Sequence, residues 1–394
     1  MPSITEPSGY SSPPSPRQSH SAREIELDVT RGVAILLAMG WHFNEIQTGI
    51  APIDWLMAPG RLFGWAGVDL FFVLSGFLVG RLIFQERGRT GGFAAGRFLI
   101  RRALKIWPIL YFFLLCQLII GFKPWDSYFF QTALHVQNYF KTPILHLWSL
   151  AVEEHFYLVF ALVFGLFARV SRRPETIIRY AAALLFIAPA LRVLAVAMSV
   201  DPVDIQWQTQ YRMDALAFGV VLAGLSVFHT AIFNRLASSK KSLLCVTAAG
   251  CGFLSLDTFH SAVNVSVGFT IAYLTAAAFL LLCYRADLIL KRQQIFAPLA
   301  SIGVYSYAMY IWHPGMVRIS DYAAPYLSGV PLENLWLLLL RYGGAILVAI
   351  VVTKAIERPF LMIRDRAFPR SGGRTSTAQD DGAIRSSDAP PLSP

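Results

Sequence analysis

Charge is what this sequence has least of: Asp, Glu, Lys and Arg make up 15% of its 394 residues, where a soluble domain carries about 25%. Apolar side chains reach 55% and the mean hydropathy is positive. A water-soluble globule is thereby excluded, because so much apolar surface has to be buried in lipid. The amino-terminal stretch is not expected to be a secretory leader either. The first 24 residues, MPSITEPSGYSSPPSPRQSHSARE, are rich in Ser and Pro and hold no apolar core, so they are read as a disordered cytoplasmic tail. Residues 366–394 have the same character. Cysteine is scarce: Cys116, Cys245, Cys251 and Cys283 all lie in apolar segments, without the paired spacing of a metal site. They are read as packing residues, and no metal or permanently bound cofactor is implied.

What is present is a series of apolar runs, near 29–47, 65–84, 103–122, 147–168, 177–199, 212–230, 243–257, 263–284, 298–318 and 335–355. A run of about 20 residues, rising about 1.5 Å each, crosses a hydrocarbon core of about 30 Å. The expected fold is all-α: a polytopic transmembrane bundle of about ten spans over 25–365, the seventh being the shortest. With the amino terminus inside, the inside segments collect 26 of the 34 basic residues, seven of them between Arg81 and Lys105. That bias puts both termini in the cytoplasm. The net charge of +10 is therefore topological and does not point to nucleic acid. The stretch 126–140 mixes aromatic and polar residues and suits an outer interfacial helix.

Polar residues inside the runs carry the chemistry. In the first, ELDVTRGVAILLAMGWHF, eleven helical steps separate Arg31 from His42, which places them within about 20° on one face and about 16 Å apart along the axis. They either face a polar interior or snorkel to opposite headgroup layers. In the second, GVDLFFVLSGFLVGRL holds Asp69 and Ser75 among glycines; Asp69 suits a helix-to-helix hydrogen bond as well as a substrate contact. Next comes RFLIRRALKIWP, whose Arg101, Arg102 and Lys105 suit either the phosphates of a nucleotide-bearing donor or anionic lipid. HLWSLAVEEHFYL crowds His146, Trp148, Glu153, Glu154 and His155 into three turns, an acid and base set in which either Glu equally suits pairing with a buried Arg. Arg212 and Asp214 open YRMDALAFG, and His313 precedes a Pro in YSYAMYIWHP.

These fragments, in this order and followed by IERPF, resemble the membrane acyltransferase-3 family of bacterial O-acyltransferases from about Leu27 to Phe360. The resemblance implies a multi-pass protein of the bacterial inner membrane that moves an acyl group, acetyl by preference, from cytoplasmic acyl coenzyme A to a hydroxyl of an extracytoplasmic carbohydrate or glycolipid. It makes Arg31 and His42 essential, with His42 as catalytic base, and maps the family's donor-binding Arg-x-x-Arg onto Arg102 and Lys105. The second position is Lys here, a point charge without the guanidinium fork. Glu154 is expected to act with His42. Arg31, Asp69, Ser75, Arg101, Arg102, Lys105, Trp148, Glu153, Arg212, Asp214 and His313 are expected to bind the two substrates. Some members carry a fused esterase-like domain, whereas about 35 residues follow IERPF here; the expectation is direct release of the acyl group or delivery through a separate partner. The rival is a transporter or flippase of a polysaccharide precursor, which would favour internal repeats, and no convincing repeat is found.

Overall fold

Long apolar runs without turn signals leave the backbone only its own N–H and C=O groups to bond with in lipid, which selects the helix. The computed structural model accordingly contains helices and no strand among the described residues, which are 24–120, 125–140, 142–170, 175–256, 259–284 and 296–369. The two tails expected above lie outside these, except that the last helix continues to Ala367. The chain runs through α1 (Ile25–His42), α2 (Ala51–Phe63), α3 (Gly67–Thr90) and α4 (Ala95–Ile119). A short α5 (Trp125–Ala133) follows, in the segment expected to be interfacial. Beyond it come α6 (Trp148–Val170), α7 (Glu175–Ala197), α8 (Pro202–Trp207), α9 (Met213–Phe228), α10 (Thr230–Ser238) and α11 (Lys240–Leu256). The described chain ends with α12 (Phe269–Cys283), α13 (Phe296–Leu327), α14 (Glu333–Val352) and α15 (Arg358–Ala367).

Each of the ten apolar runs falls on a helix, yet fewer satisfy a span on length and composition. Among the described residues six helical stretches do so, and a seventh if α9 and α10, bent by 114°, are one span. The shortfall has physical causes. α1 carries Glu26, Asp28 and Arg31 within 18 residues, α11 is 17 residues long, and the apolar stretch of α13 is diluted by Tyr, Ser and His313. The chain is a multi-pass membrane protein. Its exposed side chains agree, since Phe186, Leu256 and Leu347 put large apolar groups on the surface.

Two close crossings set the frame. Gly76 of α3 lies on the Leu216 carbonyl while Gly219 of α9 lies on the Val73 carbonyl, so a Cβ at either would meet backbone. α1 crosses α13 in the same way, Gly303 against the Asp28 carbonyl and Gly32 against that of Leu299. Such small-residue contacts let helices touch where lipid supplies no hydrophobic drive. Around the crossings lie two apolar clusters. One joins α3, α6, α9 and α12, the other α1, α4, α13 and α14, and Val68, Phe71 and Tyr307 pack against both. A cavity opens along that seam. At one end of the bundle, Glu24 before α1 pairs with Arg81, and Asp365 of α15 pairs with Arg101. Both ends of the described chain thus meet the same basic segment, called the basic end below.

Candidate active site

The last turns of α3 and the first turns of α4 face each other across the loop 91–94, and both are basic. Arg81 and Arg89 on α3, and Arg97, Arg101, Arg102 and Lys105 on α4, line a vestibule of about 430 Å³ at the basic end, joined by Arg364 of α15. Helical spacing explains the convergence on α4, because 97, 101 and 105 repeat every four residues and share a face. Three carboxylates, Glu24, Asp28 and Glu86, oppose these cations. The start of α4 has no side-chain cap and no acidic residue in its first turn, so its free N–H groups add to the positive potential. Three of the cations are already held, Arg364 by its neighbour Asp365 at 2.9 and 3.0 Å. Arg81 grips Glu24 through two bonds of 2.8 and 3.0 Å, and Arg101 bonds Asp365 at 2.9 Å and also the Phe368 carbonyl.

The vestibule narrows at Arg31, Leu78, Arg102 and Lys105, which line it and also a second, inner cavity of about 140 Å³. Arg31 pairs with Asp28 one turn back at 3.1 Å. The Arg102 guanidinium sits over the rings of Phe98 and Tyr157, at 5.6 and 5.1 Å. Glu357 completes the neck as the carboxylate beside Lys105. It is carried there by a π-helical turn, Thr353–Glu357, just before Pro359. Proline lacks an N–H and its ring crowds the carbonyl four residues back, so the widened turn at this point has a local cause.

The inner cavity is apolar along Phe71, Phe72, Leu74 and Ile106, and polar along two hydrogen-bonded strings. In one, Ser75 bonds the Tyr157 hydroxyl at 2.7 Å, and Tyr157 donates to Glu153 at 2.9 Å. In the other, Ser149 bonds the Tyr310 hydroxyl at 2.7 Å, and Tyr310 donates to the His146 carbonyl at 2.6 Å. Behind that second string stand three histidines. The His42 ring is 5.0 Å from that of His313 and 6.3 Å from that of His146, with His146 and His313 5.3 Å apart. His313 is fully buried. Its Nδ1 lies 2.8 Å from the Tyr310 carbonyl, which only accepts, so Nδ1 carries the proton; Nε2 has no partner among the described residues. His42, at the end of α1, is exposed and is not among the residues lining the inner cavity. Among the described residues no group of three or more His, Cys, Asp or Glu is arranged to hold a metal ion.

Other expected site residues lie elsewhere. Asp69, Arg212 and Asp214 line neither cavity. They join Arg192 of α7 in a closed quartet, with Arg212 on Asp69 at 2.9 Å, Arg192 on Asp214 at 2.8 Å, and all four side chains at most 2% exposed. Arg212 also lies 3.8 Å from the centre of the Phe269 ring and 5.4 Å from that of Trp148. The interior partner foreseen for Asp69 is therefore Arg212, and Trp148 belongs to this quartet and not to the cavity. Neighbouring positions on a helix diverge by about 100°, and so Glu153 enters the cavity while Glu154 turns to the Trp107 indole. Ser75, Arg31, Arg102, Lys105 and Glu153 line the inner cavity together, and the His313 ring lies beside that of His42. Reasoning from sequence missed Arg192, Ser149, Tyr157, Tyr310 and Glu357. An Arg inside an apolar run was a usable signal for Arg192, whereas the aromatic hydroxyls carried none.

Comparison with known proteins agrees with the motif resemblance. The family model described as an acyltransferase domain, of the acyltransferase-3 type, matches residues 24–354. A peptidoglycan O-acetyltransferase, OatA, of Listeria monocytogenes is 25% identical over 373 residues, covering 87% of this chain and 56% of its own length. The O-acetyltransferase OatA of Staphylococcus aureus is 27% identical over 327 residues, covering 75% and 51%. A putative peptidoglycan O-acetyltransferase, YrhL, of Bacillus subtilis is 27% identical over 385 residues, covering 87% and 56%. The chain thus spans about half the length of these relatives. No solved structure matches.

Proposed function

The chain belongs to the acyltransferase-3 family, and from that premise we propose that it is an O-acyltransferase of the bacterial inner membrane. It takes an acyl group, acetyl by preference, from cytoplasmic coenzyme A and passes it to a hydroxyl of an extracytoplasmic carbohydrate. Peptidoglycan is the acceptor class to which the relatives' names lead. One observation carries the reading: a strongly basic vestibule narrows through Arg31, Arg102 and Lys105 into a cavity that ends against the histidine cluster. A donor with several phosphates and a long thin arm suits that shape. Its phosphates would rest on Arg97, Arg102 and Lys105 at the uncapped start of α4, and its arm would run past Arg31 along the apolar wall.

The meeting of both described chain ends at the basic end supports an even number of spans, and the positive-inside bias supports a cytoplasmic basic end. With ten spans, the histidine cluster opens outward, where the acceptor arrives. His42 serves as base for the acceptor hydroxyl, and His313, whose Nε2 has no partner among the described residues, holds that hydroxyl or the His42 ring in place. We assign the cavity carboxylate role to Glu153 in place of Glu154, and a structural role to Asp69, Arg212, Asp214 and Trp148. Nothing favours the flippase reading.

The test is binding and turnover. Purified protein in lipid nanodiscs should bind acetyl coenzyme A more tightly than dephospho coenzyme A, with an affinity that falls as salt rises. It should release free coenzyme A in excess of one turnover only when a peptidoglycan fragment is supplied. A folded protein that binds neither nucleotide would end the proposal.

A further inference from the structure

We propose that Ser75 is the first acceptor of the acyl group, a nucleophile that removes it from the thioester as a serine ester and so splits the transfer into two steps. This rests on the acyl coenzyme A reading above. The problem it solves is one of place: the inner cavity receives the donor arm, yet His42 is absent from its lining, with Tyr310 and His146 between them. A group on the cavity wall itself has to meet the thioester.

Six residues put hydroxyls on that wall, and hydrogen bonds tell five of them apart, Ser306 being the sixth. Tyr307 donates to the Ile106 carbonyl at 2.6 Å, and the string from Ser149 through Tyr310 ends on the His146 carbonyl. A backbone carbonyl accepts a hydrogen bond but cannot take a proton away. The string from Ser75 through Tyr157 ends on the carboxylate of Glu153, which can. Because Tyr157 spends its proton on Glu153, its oxygen is the acceptor for the Ser75 hydroxyl, which leaves the Ser75 lone pairs for the cavity. The orientation is also unusual for a hydroxyl inside a helix, which ordinarily bonds the carbonyl four residues back. Thr30, Ser255 and Thr275 do so here, whereas Ser75 reaches across to another helix.

In the first step Ser75 Oγ attacks the thioester carbonyl. Its proton moves to the Tyr157 oxygen as the Tyr157 proton moves to Glu153. The carbon–sulfur bond then breaks, and the sulfur takes the proton of the Tyr157 hydroxyl as Glu153 returns its own to the Tyr157 oxygen. The products are the coenzyme A thiol, an ester on Ser75 and Glu153 again ionised. In the second step the acceptor oxygen attacks the ester, and the proton it loses ends on Ser75 Oγ. Ser75 is the catalytic residue of the first step; Tyr157 and Glu153 act through it.

The experiment uses the full chain in nanodiscs, mixed with radiolabelled acetyl coenzyme A without acceptor and quenched in acid within milliseconds to seconds. The wild type should release a burst of thiol and retain label on the peptide that contains Ser75. Ser75→Ala should lose burst and label, keep acetyl coenzyme A affinity within about threefold, and lose about a thousandfold or more in turnover, the scale on which loss of a nucleophile acts. Ser75→Cys should recover label as a thioester cleaved by neutral hydroxylamine, which shows that the site folds and reacts. Tyr157→Phe, which retains the ring under Arg102, should slow the burst and steepen its rise with pH while sparing affinity. An unlabelled wild type, label on another residue, or a Ser75→Ala loss of only about fivefold, the scale of one hydrogen bond, overturns the assignment. If no variant binds acetyl coenzyme A while the protein is folded, the donor reading fails instead, and the two failures are thereby distinct.

Discussion

Two groups of charges lie inside this bundle, and they are built on opposite plans. The quartet of Asp69, Arg192, Arg212 and Asp214 has two cations and two anions, each paired within 2.9 Å and almost wholly buried. The neck has Arg31, Arg102 and Lys105 against Glu153 and Glu357, and opens on two cavities. An isolated charge in lipid costs several kcal/mol, so both groups had to be compensated. The quartet is balanced in charge from within and neither cavity reaches it, although Asp69 Oδ2 and Arg212 Nε and Nη1 have no hydrogen-bond partner among the described residues. The neck is balanced once Asp28, paired with Arg31, is counted, and it opens on a vestibule where eight Arg and Lys side chains face three carboxylates, an excess that an anionic donor can complete. A polar residue inside a membrane is therefore a functional candidate only when its charge is left open.

The sharpest way to break the comparison is at the catalytic side of the open group. His42→Gln retains bulk and hydrogen bonding but not basicity. Turnover at matched expression should fall by about 100 to 10,000-fold, as expected for a lost general base, with donor binding and thermal unfolding unchanged. Substantial turnover by this variant would move the base to another member of the cluster, His313 first.

Next in size is the closed group. Arg212→Met strands Asp69 and should cost about 3–5 kcal/mol, read as a large drop in the unfolding midpoint in detergent. Replacing the pair together, Asp69→Leu with Arg212→Met, should recover most of it, because a neutral pair leaves no uncompensated charge. If the single variant is as stable as the wild type and loses only affinity for acceptor, the quartet is a binding site after all, as the sequence alone suggested.

The open group answers differently to the same kind of insult. Changing Arg101, Arg102 and Lys105 together to Ala should leave stability nearly unchanged and raise the apparent Michaelis constant for acetyl coenzyme A. Removing each charge-assisted hydrogen bond to a donor phosphate is expected to cost about 1.5–3 kcal/mol, or about tenfold and more in affinity. Unchanged donor affinity in a correctly inserted triple variant would leave the cluster as an anchor for anionic lipid.

How much of this was legible in the sequence follows from what sequence periodicity encodes. The helices were legible as elements, because each apolar run lies on one, but their bounds were not: α4 starts eight residues before the run at 103 and α13 ends nine after the run at 318. The number of spans was not settled so easily, because α1 and α13 dilute their apolar stretches with residues that serve the cavity. Arg31 and Ser75 on separate helices could be singled out as intramembrane polar groups, but the pairing of Asp69 with Arg212, 143 positions apart, is a property of packing. Helix phase decided the two adjacent carboxylates: Glu153 and Glu154 are equivalent as letters and about 100° apart in space. Tyr157 and Tyr310 were invisible, since a tyrosine in an apolar run reads as an ordinary core or interfacial residue until its hydroxyl partner is known.

The smallest expected effect tests whether the open group is held partly shut. Arg101 faces the vestibule, yet its guanidinium is drawn to Asp365 and the Phe368 carbonyl at the end of α15. Asp365 is 56% exposed, so the pair is screened by water and contributes only about 0.2–1 kcal/mol. A donor phosphate arriving at Arg101 competes with that carboxylate. Asp365→Asn removes the competitor, retains the side-chain size, and raises the net positive charge of the vestibule by one. The apparent Michaelis constant for acetyl coenzyme A should therefore fall, by about 1.5 to fivefold at low salt, the range that 0.2–1 kcal/mol spans. The gain should fade as ionic strength rises and the Debye length shrinks to about 3 Å at 1 M. The companion change Glu24→Gln, which frees Arg81 from its two-pronged contact, should act in the same direction. A higher Michaelis constant in both variants would mean that these carboxylates hold the arginines in their binding geometry, making the vestibule a pre-arranged site and not a competed one.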